Sequence, residues 1–176
     1  MESNLTERIS AIIPNEEELE KAVTQLLAES VARSDISVQG NPKQLSEKYG
    51  FSTVKPGDIQ NSTYPPVKEP FLNDDFGWVV GLSFAIPLFI CLIIGIFVIG
   101  DINSNSDIII YGLLGAIIGS LIGYGISKTI KSNREQSIDL QEERGGFVLW
   151  VVTHSPEQHK QVMNILKEHH PKNIRG

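Results

Sequence analysis

The sequence predicts an α+β membrane protein in which a two-helix transmembrane hairpin interrupts a single soluble sandwich, and three observations predict it. From Gly77 to Ile126 the only charged residues are Asp101 and Asp107, so a membrane-like block sits inside an otherwise polar chain. The segments before and after that block each read as strand, helix and strand. The two readings also align residue by residue, as two halves of one unit would. At 176 residues the chain has room for one ordinary domain with additions. Its net charge of −6 argues against nucleic acid as a partner, because phosphate binding needs a basic footprint. The single cysteine, Cys91, excludes an intrachain disulfide and a multi-cysteine zinc site.

The first apolar run covers residues 77–100 without a charged side chain. It exceeds the roughly 20 residues that cross a hydrocarbon core. The second run, 108–126, is shorter and equally uncharged. Residues 101–107 between them are polar turn formers, too few for anything but an antiparallel hairpin; the alternative is a buried helical pair in a soluble protein. Orientation follows from positive charge near the span ends. Lys128, Lys131 and Arg134 follow the second span at once, and the loop has no basic residue. These three topology determinants place both termini in the cytoplasm, with the loop outside. Trp78, Tyr111 and Tyr124 stand near span ends, where aromatic rings suit the interface. Pro87 removes the backbone donor that would reach the Ser83 carbonyl, so a kink is expected there.

Gly112, Gly115, Gly119 and Gly123 recur along the second span, the last three on one helical face as a glycine zipper. Small residues let a neighbouring backbone approach closely, which is how helices associate in lipid. The neighbour is the first span of the same chain, a second copy, or both. Gly81 and Ala85 form a weaker match in the first span. No polar ring lines either span, so an ion channel is not expected.

In the N-terminal half, residues 1–40, a strand over 8–13 leads to Asn15, an N-cap with Glu18 as its capping-box partner. The helix that follows carries Leu19, Ala22, Val23, Leu26 and Leu27 on one stripe, and residues 35–39 read as a second strand. The C-terminal half, 145–176, repeats the order: a strand over 146–153, Ser155 as N-cap, Pro156 at the first helical position, and Gln158 as the capping partner. Val162, Met163, Ile165 and Leu166 mark its helix, and 172–175 its last strand. Setting Asn15 against Ser155 aligns Glu18 with Gln158, Ala22 with Val162, Val23 with Met163 and Leu26 with Leu166. Two such halves make a ferredoxin-like βαββαβ sandwich, with the first and third strands central and the short, polar second and fourth at the edges.

The third strand is apolar on both faces. Phe147, Leu149 and Val151 point one way, and Val148, Trp150 and Val152 the other. A sheet with helices on one face only would show polar residues on the other, so a cover is expected. The favoured cover is a second copy seated on Val148, Trp150 and Val152, and the alternative is the linker, 41–76. That linker holds one short helix over 41–49 and then prolines that read as an extended spacer. Residues 127–144 are a polar return connector, with helix over 131–144 as one reading.

Four histidines, His154, His159, His169 and His170, lie near the C-terminus with no i, i+4 spacing among them, and Cys91 lies in the membrane block. No phosphate-binding loop or nucleophile elbow occurs. The expectation is no catalytic, cofactor-binding or metal-binding residue, and no enzyme.

The glycine-rich stretch 112–125, together with Gly145-Gly146-Phe147-Val148-Leu149-Trp150-Val151-Val152-Thr153 and its helix, resembles bacterial membrane proteins known as general-stress or low-temperature-induced proteins. The layout is also similar to the small two-helix membrane subunit of alternative complex III, a quinol-oxidising assembly. Both resemblances imply a scaffold or regulator without catalysis. Three functions follow: a homo-oligomeric scaffold or stress-associated regulator in the lipid bilayer, an accessory subunit of a larger, respiratory membrane complex, or a small-molecule-sensing membrane module.

Overall fold

The computed structural model describes residues 6–29, 31–50, 54–99 and 105–176. The chain divides into two compact units, Met1–Phe71 with Gln136–Gly176, and Leu72–Glu135. The first is a mixed α+β domain assembled from both sides of the second.

Its centre is an antiparallel pair, β1 (Glu7–Ile13) and β4 (Phe147–Thr153), with Ile9 opposite Val151, Ala11 opposite Leu149 and Ile13 opposite Phe147. The alternation of side chains along a strand puts these six on one face, and all are buried. β2 (Ile36–Gln39) pairs with β4, and β5 (Asn173–Arg175) with the other side of β1. Two helices close the face: α1 (Glu16–Ala28) through Ala22, Val23 and Leu26, and α6 (Pro156–Glu168) through Val162, Ile165 and Leu166. The aligned apolar residues of the two halves therefore do the same work, except that Met163 is half-buried where Val23 is buried; Glu18 does not close the expected capping box, because its carboxylate turns to His169 and Lys21 instead.

Both helix starts follow from their caps. The Asn15 side chain accepts from the Glu18 amide at 2.8 Å, and Ser155 Oγ from the Gln158 amide at 3.1 Å, each satisfying a donor that the helix cannot. The Gln158 side chain reaches one residue further back than a capping box requires, accepting from the His154 amide at 2.8 Å. Gly146 enters β4 at φ +112°, where a Cβ would strike the Ile13 carbonyl oxygen. Only glycine fits that close approach.

Three expectations about boundaries are corrected. β2 is not an edge strand: β3 (Val67–Lys68), from the proline-rich linker, pairs outside it and gives the sheet order β3-β2-β4-β1-β5. The linker is not mainly extended, since α2 (Pro42–Tyr49) is followed by α3 (Pro56–Gln60); prolines at N1 start both helices because the missing N–H has no partner there anyway. The return connector is not separate from the second span. One helix, α5, runs from Asn105 to Glu143, and its 39 residues extend about 58 Å, nearly twice a hydrocarbon core. The expected turn over 101–107 lies outside the described residues at 101–104, and Asn105, Ser106 and Asp107 open α5.

Candidate functional site

The Leu72–Glu135 unit consists of α4 (Asn73–Ile94), extended by a π-helical turn over Gly95–Ile99, and the first thirty-one residues of α5. Both helices are long and apolar enough to cross a membrane. Pro87 lies inside α4, and its carbonyl faces the glycine stripe of α5.

That stripe is where sequence and geometry meet most closely. A Cβ on Gly119 would lie 2.6 Å from Leu88 Cα and 2.8 Å from the Pro87 oxygen, and one on Gly123 would lie 2.6 Å from the Phe84 oxygen. At Gly115 it would strike the Cys91 carbonyl, and at Gly112 it would come within 3.3 Å of Ile96 Cδ1. All four glycines therefore receive α4 of the same chain. Of the neighbours the spacing allows, the first span of the same chain lies against this face. Gly95 completes the seam from α4, with a Cβ position 2.6 Å from the Tyr111 oxygen and 3.3 Å from Gly115 Cα. Its signal in the sequence is the Cys91-xxx-Gly95 pair of small residues.

The large side chains turn the other way: Phe97 is 72% exposed, Leu121 69% and Phe89 60%. On the outward side of α4, Gly77, Gly81 and Ala85 line an open groove bordered by Trp78 and Leu82. A Cβ on Gly77 or Gly81 would meet nothing within 4 Å.

The three basic residues expected to set the topology follow the apolar stretch of α5. Arg134 Nη1 donates to Asn73 Oδ1 at 2.9 Å, and its guanidinium stands 4.3 Å over the Phe76 ring, so it fastens α5 to the first turn of α4. Lys131 is 3.9 Å from Glu135 on the same helix, and Lys128 is exposed.

The second face of the sheet corrects the expectation of a docked copy. Val148 and Trp150 are buried, with Ile12, beneath Leu45 of α2, Val54 and Ile59 of α3, and Tyr49 packs against the same cluster. The linker is the cover. Val152, at the end of the row, is half-buried, and the Arg8 guanidinium stands 5.1 Å over the Trp150 ring. Two glutamines carry the paired polar groups of this face, while the buried Tyr49 hydroxyl has no hydrogen-bond partner among the described residues. Gln60 Nε2 donates to Ser10 Oγ at 3.0 Å, and its Oε1 accepts from Asn173 Nδ2 at 2.9 Å. Gln39 Nε2 donates to Gln141 Oε1 at 2.8 Å, while Gln39 Oε1 accepts from the Val148 amide at 3.1 Å.

The histidines form no metal cluster among the described residues. Three instead meet carboxylates of the N-terminal segment: His154 with Asp35 at 3.2 Å, His159 with Glu7 at 2.8 Å and His169 with Glu18 at 3.0 Å. The Glu18 carboxyl is held below the usual carboxylate range, first by the His169 hydrogen bond and then by that of Lys21. Glu17 and Glu18 in turn raise the Lys21 ammonium. A shallow depression over α1 is lined by Glu17, Glu20, Lys21, Thr24 and Gln25, with His169 at its edge.

Comparison of the chain with protein-family models, with curated proteins and with solved structures finds no match.

Proposed function

We propose that this chain is a non-catalytic integral membrane scaffold: a ferredoxin-like sandwich in the cytoplasm that carries a two-helix hairpin in the bilayer. One observation carries the reading. The hairpin is small inside and large outside, its glycines set against backbone while Phe89, Phe97 and Leu121 face outward. In water so continuous an apolar surface is a liability. In lipid it is solvated, and close backbone contact is what remains to hold two helices together. The sandwich assignment is supported by the order β5-β1-β4-β2 within the sheet, with β1 and β4 central. The orientation is supported by Lys128, Lys131 and Arg134 beside a loop without basic residues.

Self-assembly rests on the outward face of α4, since the α5 glycines and the second sheet face are both occupied by the chain itself. A second copy laid along Gly77, Gly81 and Ala85 would bring two α4 backbones together with Trp78 and Leu82 at the rim. A stress-associated regulatory role goes with the resemblance in the sequence and shares this assembly. The test is native mass spectrometry of protein extracted in mild detergent. The expected result is more than one copy for the wild type and a lower copy number for Gly81→Leu. A wild type that is monomeric in every detergent and at every concentration ends the self-assembly reading. A foreign subunit in fixed ratio would replace it with an accessory role in a larger membrane complex.

A further inference from the structure

We propose that His169 is a proton-operated clasp: as a doubly protonated imidazolium it ties the end of α6, which follows the membrane hairpin in the chain, to α1, which precedes it. His169 is only 8% exposed. Its Nδ1 lies 3.0 Å from Glu18 Oε2, and its Nε2 lies 2.9 Å from Gln25 Oε1. Both partners are acceptors. An ionised carboxylate has no proton to give, and the Gln25 amide is oriented by its own Nε2, which donates to Glu168 Oε2 at 3.1 Å. Neutral imidazole has one donor nitrogen and one acceptor nitrogen, so one of the two contacts would set lone pair against lone pair. Turning the Gln25 amide over would offer the ring an N–H, but it would press the amide oxygen onto the Glu168 carboxylate. Only the charged ring satisfies all three contacts at once.

Glu18 meets Nδ1 of the ring, Glu17, Glu20 and Lys21 of α1 line the depression that His169 borders, and Glu168 and exposed His170 are its chain neighbours. Lys21 is already engaged by Glu17 at 2.7 Å and by Glu18 at 3.1 Å. The pairs His154–Asp35 and His159–Glu7 repeat the arrangement, each joining a histidine encoded after the hairpin to a carboxylate encoded before it. His169 differs from them in being buried with both nitrogens engaged, so its charge state is the one on which closure of the two segments turns. The sign follows from which form is bound: the clasp is present while the ring is protonated and is lost as rising pH removes the second proton. It is lost again at the acid end, when Glu18 is protonated.

The experiment is nitrogen NMR of the full-length protein in detergent micelles, labelled with 15N-histidine, at pH 7. His169→Gln identifies the His169 ring signals by their absence. If that variant does not fold, substitution of His154, His159 and His170 by Gln assigns the remaining signals by elimination. The expected result is that both His169 ring nitrogens carry protons in the wild type. In Glu18→Gln, with the backbone spectrum of the domain retained, one of them should lose its proton. A neutral, single-tautomer ring in the wild type overturns the proposal. So does a ring that stays doubly protonated in Glu18→Gln.

Discussion

Trp150 is 3% exposed beneath Leu45, Val54 and Ile59, so its removal leaves a hole under the linker residues that pack on it. Trp150→Ala is expected to cost about 3–5 kcal/mol, read as a drop in the urea midpoint by far-UV circular dichroism, with copy number unchanged. An altered copy number at unchanged stability would return this residue to an interface between chains. Glu18 makes a prediction about pH. Its carboxyl is held below the ordinary range by His169 and Lys21, so its contribution is present above that range and lost as pH falls through the lowered value. Glu18→Gln should therefore be less stable than the wild type near neutrality and converge with it in acid, checked by thermal melts across pH. A gap that stays constant down to the acid end would show that the carboxylate charge is not what matters. That the second sheet face needed a cover was legible in Val148, Trp150 and Val152. What covers it was not, because Leu45, Val54 and Ile59 stand singly among prolines and polar residues and make no stripe that points to a surface. The histidine–carboxylate pairs were equally hidden, since partners more than a hundred residues apart leave no local spacing.

At the scale of the element, the glycine stripe of α5 is a statement about distance. A Cβ at Gly119 would lie 2.6 Å from Leu88 Cα, a backbone atom that cannot turn aside. Gly119→Leu is expected to part α4 from α5 at a cost of about 1–3 kcal/mol, whereas Gly125→Leu, with nothing within 4 Å of its Cβ position, should change little. Thermal unfolding of the two variants in one detergent compares them directly, and equal melting temperatures would mean that the close approach is not required. Periodicity made this stripe visible, because glycines at i, i+4 and i+8 must share a face. It could not say which helix lies against them, because a backbone from the same chain and one from another make the same demand on side-chain size. That the connector helix continues the span without a break was not legible for a related reason. Polarity changes after Ile126, but helix propensity does not: Lys131-Ser-Asn-Arg-Glu-Gln136 contains neither glycine nor proline, so the helix continues out of the apolar span.

The whole molecule is one domain interrupted by a hairpin, and the interruption decides what must be kept together. Matching caps and matching apolar stripes made the two strand–helix–strand segments legible as halves of one unit. The contribution of the intervening connectors was not legible, because it is made by single residues. Gln141 and Glu142, in the last turn of α5, reach into the domain: Gln141 Oε1 accepts from Gln39, and Glu142 Oε1 accepts from the Glu16 amide at 2.8 Å, capping α1 beside Asn15. The linker supplies Leu45, Val54 and Ile59 to the second face and β3 to the sheet edge. Residues 1–71 joined to 136–176 by a short flexible link are therefore expected to give a soluble domain that unfolds cooperatively in urea. The shorter combination of 1–40 with 145–176 lacks the cover, the edge strand and the Glu142 cap. It exposes Val148 and Trp150 on a bare sheet and should aggregate or unfold without cooperativity. Equal solubility and equal cooperativity for the two would mean that α2, α3 and β3 lie on the sheet without stabilising it. The buried position of Trp150 would then be a consequence of folding and not one of its causes.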